Sequence, residues 1–273
     1  ELFIEPKLPG SAKVTRLYED HDKHPGALPF TAATFRDALK RGQNITFMMG
    51  HGTETSLGPL SGATGVAMLA NATRPNVFIT TECFAGRFDY NKQDSAAEEF
   101  IKQSVGGVAY IGSTNFGVGF PSFSLIMRKL TECLFAQPTS DKMLTLGACL
   151  QTTLRTYSNA KALHTQDNTD RWTQFVTVLL GDPSLRVWTN KPTPVQVDID
   201  RPTCRSAKVT VTTPAGVPVS QAIITAFLPN ELLLISPTDS QGHATLVGET
   251  CRFAEATLTV SGNAIIPQEI GPR

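Results

Sequence analysis

Asn44-Ile45-Thr46-Phe47-Met48-Met49, running into Gly50-His51-Gly52, and Asn76-Val77-Phe78-Ile79-Thr80-Thr81, running into Glu82-Cys83-Phe84-Ala85-Gly86, are the stretches on which the reading of this chain turns. Each is a short apolar run bounded by Gly or Pro and fed by a helix-like segment, which is the pattern of a parallel strand buried on both faces. In open α/β sheets, ligands gather beyond the carboxyl ends of such strands. A histidine at one tip and a cysteine at the next therefore face one cleft, as a thiol nucleophile and its base require. Their separation, 83 − 51 = 32 residues, is one strand-to-strand crossover.

Outward from these tips the pattern continues. Ala12 to Glu19 alternates apolar and polar residues and reads as a strand. Phe30 to Gly42 opens on a capping Thr31, keeps apolar residues at helical spacing and stops at Gly42. The polar stretch Thr53 to Gly65 is a long loop, Ala63 to Ala72 a short helix, and Ser95 to Val105 a helix with Ser95 and Glu98 as a capping box. Gly107 to Gly112 is a further buried strand ending in Ser113-Thr114-Asn115-Phe116-Gly117. Helices are expected at Ser122 to Ala136 and Met143 to Ser158, and a last strand at Trp172 to Leu180, with Leu185 to Trp188 as an extension. Cys133 and Cys149 fall within apolar helical patterns and read as small core residues. The alternation of strands and helices predicts an α/β domain over 1–190, a mainly parallel sheet flanked by helices, with five strands.

From Lys191 the texture changes. Prolines punctuate six short alternating runs (Val195 to Ile199, Ala207 to Thr212, Ala222 to Phe227, Leu232 to Ser236, His243 to Val247, Ala256 to Val260), the spacing of a small immunoglobulin-like β-sandwich over 191–273. Cys204 and Cys251 flank it and could pair, which would argue for an extracytoplasmic home.

Composition excludes some classes. The 24 Lys plus Arg balance 24 Asp plus Glu, so no overall field attracts nucleic acid or an anionic membrane. No apolar run is long enough to span a bilayer. The five cysteines make no CxxC pair and no zinc-ligand spacing. His21, Asp22 and His24 lie close in sequence, but in a polar turn they read as solvated rather than as metal ligands. Gly112 to Gly119 lacks the Gly-Lys-Ser/Thr end of a phosphate loop, which argues against a nucleotide site.

Gly50-His51-Gly52 after one strand and Cys83 after the next, followed by Gly86-Arg87-Phe88, resemble the catalytic signature of the gingipain family of cysteine peptidases, in the caspase-like clan. Gly107 to Thr114 and Leu179-Leu180-Gly181-Asp182-Pro183-Ser184-Leu185 resemble that family's next strand and closing motif. The resemblance implies a caspase-like sheet followed by an immunoglobulin-like domain, and a secreted or cell-surface bacterial endopeptidase. It implies Cys83 as nucleophile, His51 as base, and the Gly52 and Cys83 N–H groups as an oxyanion hole. A pocket for one P1 side chain would draw on Glu54, Glu82, Ser113, Thr114, Asn115 and Phe116. An acid there favours Arg or Lys, and Glu82 either serves so or pairs with Arg87. No cofactor is required for the chemistry; structural calcium remains open because the family binds it, although no dense Asp/Asn loop marks a site. Protein or peptide substrates are the expected partners. The clan's sheet has six strands, so the five read here imply a chain cut from a longer precursor, by its own activity or another's, with a separate amino-terminal chain supplying the first strand and the acid that orients His51. The competing reading is a degenerate peptidase core that serves as a binding or adhesion module.

Overall fold

The computed structural model of the chain describes residues 4–62, 65, 75–103, 106–118, 124–135, 145–160, 169–189, 191–249, 251–253, 255–262 and 265–272. They form two compact units, divided between Val187 and Trp188.

The first unit runs, in chain order, through β1 (Leu17–Tyr18), β2 (Leu28–Pro29), α1 (Ala32–Lys40), β3 (Ile45–Met48), β4 (Ser56–Leu57), β5 (Leu60–Ser61), β6 (Asn76–Thr80), α2 (Ala96–Lys102), β7 (Gly107–Ser113), α3 (Ser124–Phe135), α4 (Leu146–Ala160), α5 (Thr169–Val176) and β8 (Thr177–Gly181). Its main sheet has the order β3-β6-β7-β8. β3, β6 and β7 are parallel, and β8 closes the sheet antiparallel to β7. Period-two alternation then decides which layer each side chain joins. Phe78 of β6 and Tyr110 of β7 enter one core with Phe35 and Leu39 of α1 and Phe100 of α2. Val77, Ile79, Ala109 and Ile111 enter the opposite core with Met127 and Leu130 of α3 and Leu146 and Leu150 of α4. Both faces of β6 are buried throughout, as a continuous apolar run predicts. Helices α1 and α2, which precede β3 and β7, start where the sequence says. Thr31 and Ser95 each accept from the backbone N–H three residues on, in reciprocal capping boxes with Thr34 and Glu98.

Several expectations change. Of the Ala12 to Glu19 run only Leu17–Tyr18 is a strand, and it pairs with Leu28–Pro29 outside the main sheet. Alternation specifies a ladder but not its partner, and the nearest available segment lies just across the turn at 20–27. Trp172 to Val176 are helical, and the strand begins only at Thr177. Buried Thr173 and Val176 lie three apart, a helical spacing, and the Thr173 hydroxyl donates to the Thr169 carbonyl one turn back. Residues 185–188 form no strand. The loop after His51 contains the β4–β5 hairpin, whose Leu57 and Leu60 are fully buried. Cys133 and Cys149 are not free core thiols: they form a disulfide joining α3 to α4, with Cα atoms 5.6 Å apart. Apolar helical spacing specifies burial, and a half-cystine is as apolar as a thiol. The expected helix over Ala63 to Ala72 lies almost wholly outside the described residues.

The second unit holds β9 (Gln196–Thr203), β10 (Ser206–Thr212), β11 (Ile223–Leu228), β12 (Glu231–Pro237), β13 (His243–Val247), β14 (Thr257–Ser261) and β15 (Gln268–Ile270). They make two antiparallel sheets, β13-β10-β9 and β12-β11-β14-β15. Their alternate residues, among them Val209 and Val211 of the first sheet and Ile224, Leu258 and Val260 of the second, share one core. Cys204 and Cys251 form a disulfide. β15 had no counterpart among the six runs read from the sequence.

Candidate active site

The parallel pairing of β3 with β6 matches Met48 to Thr80. His51 lies three residues beyond the first and Cys83 three beyond the second, so both tips leave the sheet at the same level. The Thr81 N–H donates to the Met48 carbonyl at 3.1 Å and the Gly50 N–H to the Thr81 hydroxyl at 3.3 Å, which continues the pairing past the strand ends. Gly52 completes the approach: a Cβ there would lie 2.7 Å from Glu82 Cβ and 3.1 Å from the Cys83 carbonyl oxygen. Only glycine lets the His51 loop rest directly on the Glu82-Cys83 backbone. Among the described residues no protein acceptor takes the N–H of Gly52 or of Cys83. His51 is exposed and Cys83 partly exposed.

Cys83 is the one free cysteine of the five. Its Sγ receives the Gly117 N–H at 3.3 Å, from the loop that follows β7. A Cβ at Gly117 would stand 2.5 Å from the Thr81 carbonyl oxygen, so glycine again permits the contact. Phe84, directly after the thiol, has φ +60, a left-handed conformation that costs a bulky residue about 1–3 kcal/mol and clusters at functional sites. Hydrogen bonds on both sides hold it there: Phe84 N–H to the Asn115 carbonyl and Gly86 N–H to the Ser113 carbonyl.

The six pocket candidates separate. Glu54 is tied to Arg87 at 3.1 Å, and Arg87 also reaches Asp89 at 3.2 Å. Glu82 is therefore not the partner of Arg87, nor does it line an open pocket. It is fully buried, taking the Gly58 N–H at 2.7 Å on one oxygen and meeting the Thr80 hydroxyl at 3.3 Å with the other. Burial pushes its pKa up from 4.5 to about 8, against the smaller opposing pull of those two hydrogen bonds. Ser113 is fully buried, and Thr114 is bound to the Val176 carbonyl. Asn115 and Phe116 both meet Phe84, the residue after the thiol. Phe116 is 64% exposed, its ring packs edge-on against Phe84 with centroids 4.7 Å apart, and its carbonyl accepts the Trp172 indole N–H at 2.7 Å. Phe84, Gly117 and Trp172 had not been singled out in the sequence. The Gly at 117 within a Gly-rich tip was a usable sign of close approach; Trp172 carried none.

Among the described residues no three His, Cys, Asp or Glu side chains converge to hold a metal. His21 and His24 instead pair with Asp22 and Asp20. No described helix is long and apolar enough to cross a membrane.

Residues 3–188 match the family model for peptidase family C25. The chain belongs to peptidase family C25. A chain from the complex of Porphyromonas gingivalis RgpB pro- and mature domains superposes on the C25 chain with a TM-score of 0.70 at 22% identity, over 89% of this chain and 57% of that one. The Arg-specific cysteine proteinase gingipain R gives 0.71 at 21% identity, over 89% and 56%. A third structure, described simply as a protease, gives 0.67 at 15% identity, over 86% and 55%. These likenesses carry the fold, and the C25 chain spans somewhat more than half the length of each. No curated protein matches it.

Proposed function

We propose that this chain carries the catalytic pair of a cysteine endopeptidase, with Cys83 as nucleophile and His51 as base. The observation that carries this reading is the single free thiol at the end of β6, level with a histidine at the end of β3. His51 takes the thiol proton, and the thiolate attacks the scissile carbonyl. The oxygen of the tetrahedral intermediate receives the N–H groups of Gly52 and Cys83, each worth about 3 kcal/mol. The C–N bond then breaks, the amine leaves with the proton from His51, and water releases the acyl group from Cys83.

The proposed P1 preference is Arg or Lys, on the precedent of the Arg-specific relative. Glu82 is withdrawn as its acid, because the carboxyl is enclosed; Glu54, partly exposed and shared with Arg87, stands three residues after His51 in the same loop. The exposed Phe116 ring beside Cys83 contacts the substrate. A further strand of the same precursor, seated along β3, completes the wall on the His51 side. Two disulfides suit a secreted or cell-surface setting, and the second unit serves as an immunoglobulin-like appendage.

The test is covalent labelling by peptidyl acyloxymethyl ketones with Arg, Lys or Asp at P1, on the wild type and on Cys83→Ala. Labelling by the Arg or Lys probe that vanishes in Cys83→Ala is expected. Labelling that survives the substitution would sink the assignment.

A further inference from the structure

The buried carboxyl beside the nucleophile touches both ends of the loop that carries the base. At one end, Glu82 Cβ and Cγ lie where a Cβ of Gly52 would fall, at 2.7 and 3.2 Å. At the other, its Oε1 takes the Gly58 N–H in the turn of the β4–β5 hairpin. Between these ends the loop is stapled to itself: the Thr53 N–H donates to the Ser56 hydroxyl at 2.7 Å and the Ser56 N–H to the Thr53 carbonyl at 3.3 Å. Leu57 and Leu60 anchor the hairpin in the core beneath α1. Oε2 returns to the Thr80 hydroxyl, and that hydroxyl accepts the Glu82 N–H at 3.1 Å. The contacts thus run from β6 through Glu82, Gly58, Ser56 and Thr53 to Gly52, which rests against the Cys83 carbonyl.

We propose that Glu82 is the positioning residue of the Cys83–His51 pair: its buried carboxyl clamps the hairpin that follows His51 onto the strand that delivers Cys83. This rests on the reading of those two residues as nucleophile and base. Burial keeps that carboxyl protonated up to about pH 8, against the pull of the two hydrogen bonds it accepts. Among the described residues no cation is seen to act on the carboxyl; the Gly58 amide and the Thr80 hydroxyl do. The groups facing it from β7 and from its own strand, the Tyr110 hydroxyl and the Cys83 thiol, can only add negative charge. The loop on its other side brings Glu54, which is committed to Arg87, and His51. An ionised Glu82 would be an unpaired buried charge that only water relieves, which opens the clamp.

The experiment compares wild type, Glu82→Gln and Glu82→Ala, reading kcat/KM on a fluorogenic peptide and, separately, the rate of Cys83 alkylation by iodoacetamide between pH 6 and 9. Glutamine can accept from Gly58 and donate to Thr80 but cannot ionise. Glu82→Gln should retain the neutral-pH rate to within a few-fold, and Glu82→Ala should lose about 10²-fold, the cost of a displaced catalytic group. The ratio of wild-type to Glu82→Gln rates should be flat below about pH 7 and fall about tenfold by pH 9. A ratio that stays flat to pH 9 with both readouts overturns the proposal, as does a well-folded Glu82→Ala with wild-type rates. A purely stabilising role would move the thermal midpoint but not this ratio. If the peptide is not cleaved at all, the peptidase reading fails while the alkylation ratio still decides the clamp.

Discussion

At position 52 the space a methyl group would fill is taken by Glu82 and the Cys83 carbonyl. Gly52→Ala must push the His51 loop off the strand end, and we expect about 1–3 kcal/mol of destabilisation, typical of overpacking, with a loss of Cys83 labelling larger than that figure explains. Thermal melts and labelling rates on the same sample separate the two effects. Glu82 makes a second prediction with a definite sign. Below about pH 4.5 folded and unfolded chains both hold its proton; between there and about pH 8 only the folded chain does. Stability therefore falls as pH rises through that window, by up to about 1.4 kcal/mol per unit and roughly 5 kcal/mol in all. Urea titrations of wild type and Glu82→Gln at pH 5 and pH 8 should show this slope in the wild type and its absence in the variant. The sequence held the clue to this burial. Phe78, Thr80 and Glu82 are alternate residues, so Glu82 continues the inward face of β6 rather than opening onto the cleft. What the sequence lacked was the lid: a two-residue ladder, Ser56–Leu57 with Leu60–Ser61, is too short to register as a period.

Among the elements, those with long apolar runs or reciprocal caps were legible to within a few residues. β6, β7, α1 and α2 each combine an internal pattern with a local stop or start, so they need no tertiary context. Trp172 to Leu180 was misread because its helix and strand abut without a breaker. Only the geometry of α5 separates the exposed Trp172 and Phe175 from buried Thr173 and Val176. The α3–α4 disulfide was illegible for a different reason, since a paired and an unpaired cysteine look alike in an amphipathic helix. It closes a span of 16 residues, for which loop-closure entropy gives about 3 kcal/mol. Cys133→Ala/Cys149→Ala should lose about that much in urea unfolding while leaving a Cys83 that still reacts. The aromatic shelf offers another element-scale test. Phe116→Ala removes an exposed ring that packs on Phe84, so it should change thermal stability by less than about 1 kcal/mol but raise KM for peptide substrates several-fold.

At the scale of the molecule, the second unit owns its core. Among the described residues, the fourteen buried hydrophobic residues of that core, from Val195 to Ile265, draw on both of its sheets. A fragment of residues 188–273 should therefore unfold cooperatively by itself, and reduction of Cys204–Cys251, which spans 47 residues, should cost it about 4 kcal/mol. Far-UV circular dichroism with and without reductant tests both statements. The pairing of four of the five cysteines also bears on how the molecule can be handled. Conditions oxidising enough to keep two bridges closed also oxidise a solvent-accessible thiol, to a mixed disulfide or a sulfenic acid. Freshly isolated protein should then be a mixture of competent and capped molecules. A brief, mild thiol treatment restores the first population, whereas a strong one dismantles the scaffold. Because only one thiol titrates per chain without denaturant, a chromogenic disulfide reagent counts working sites directly, with no substrate required.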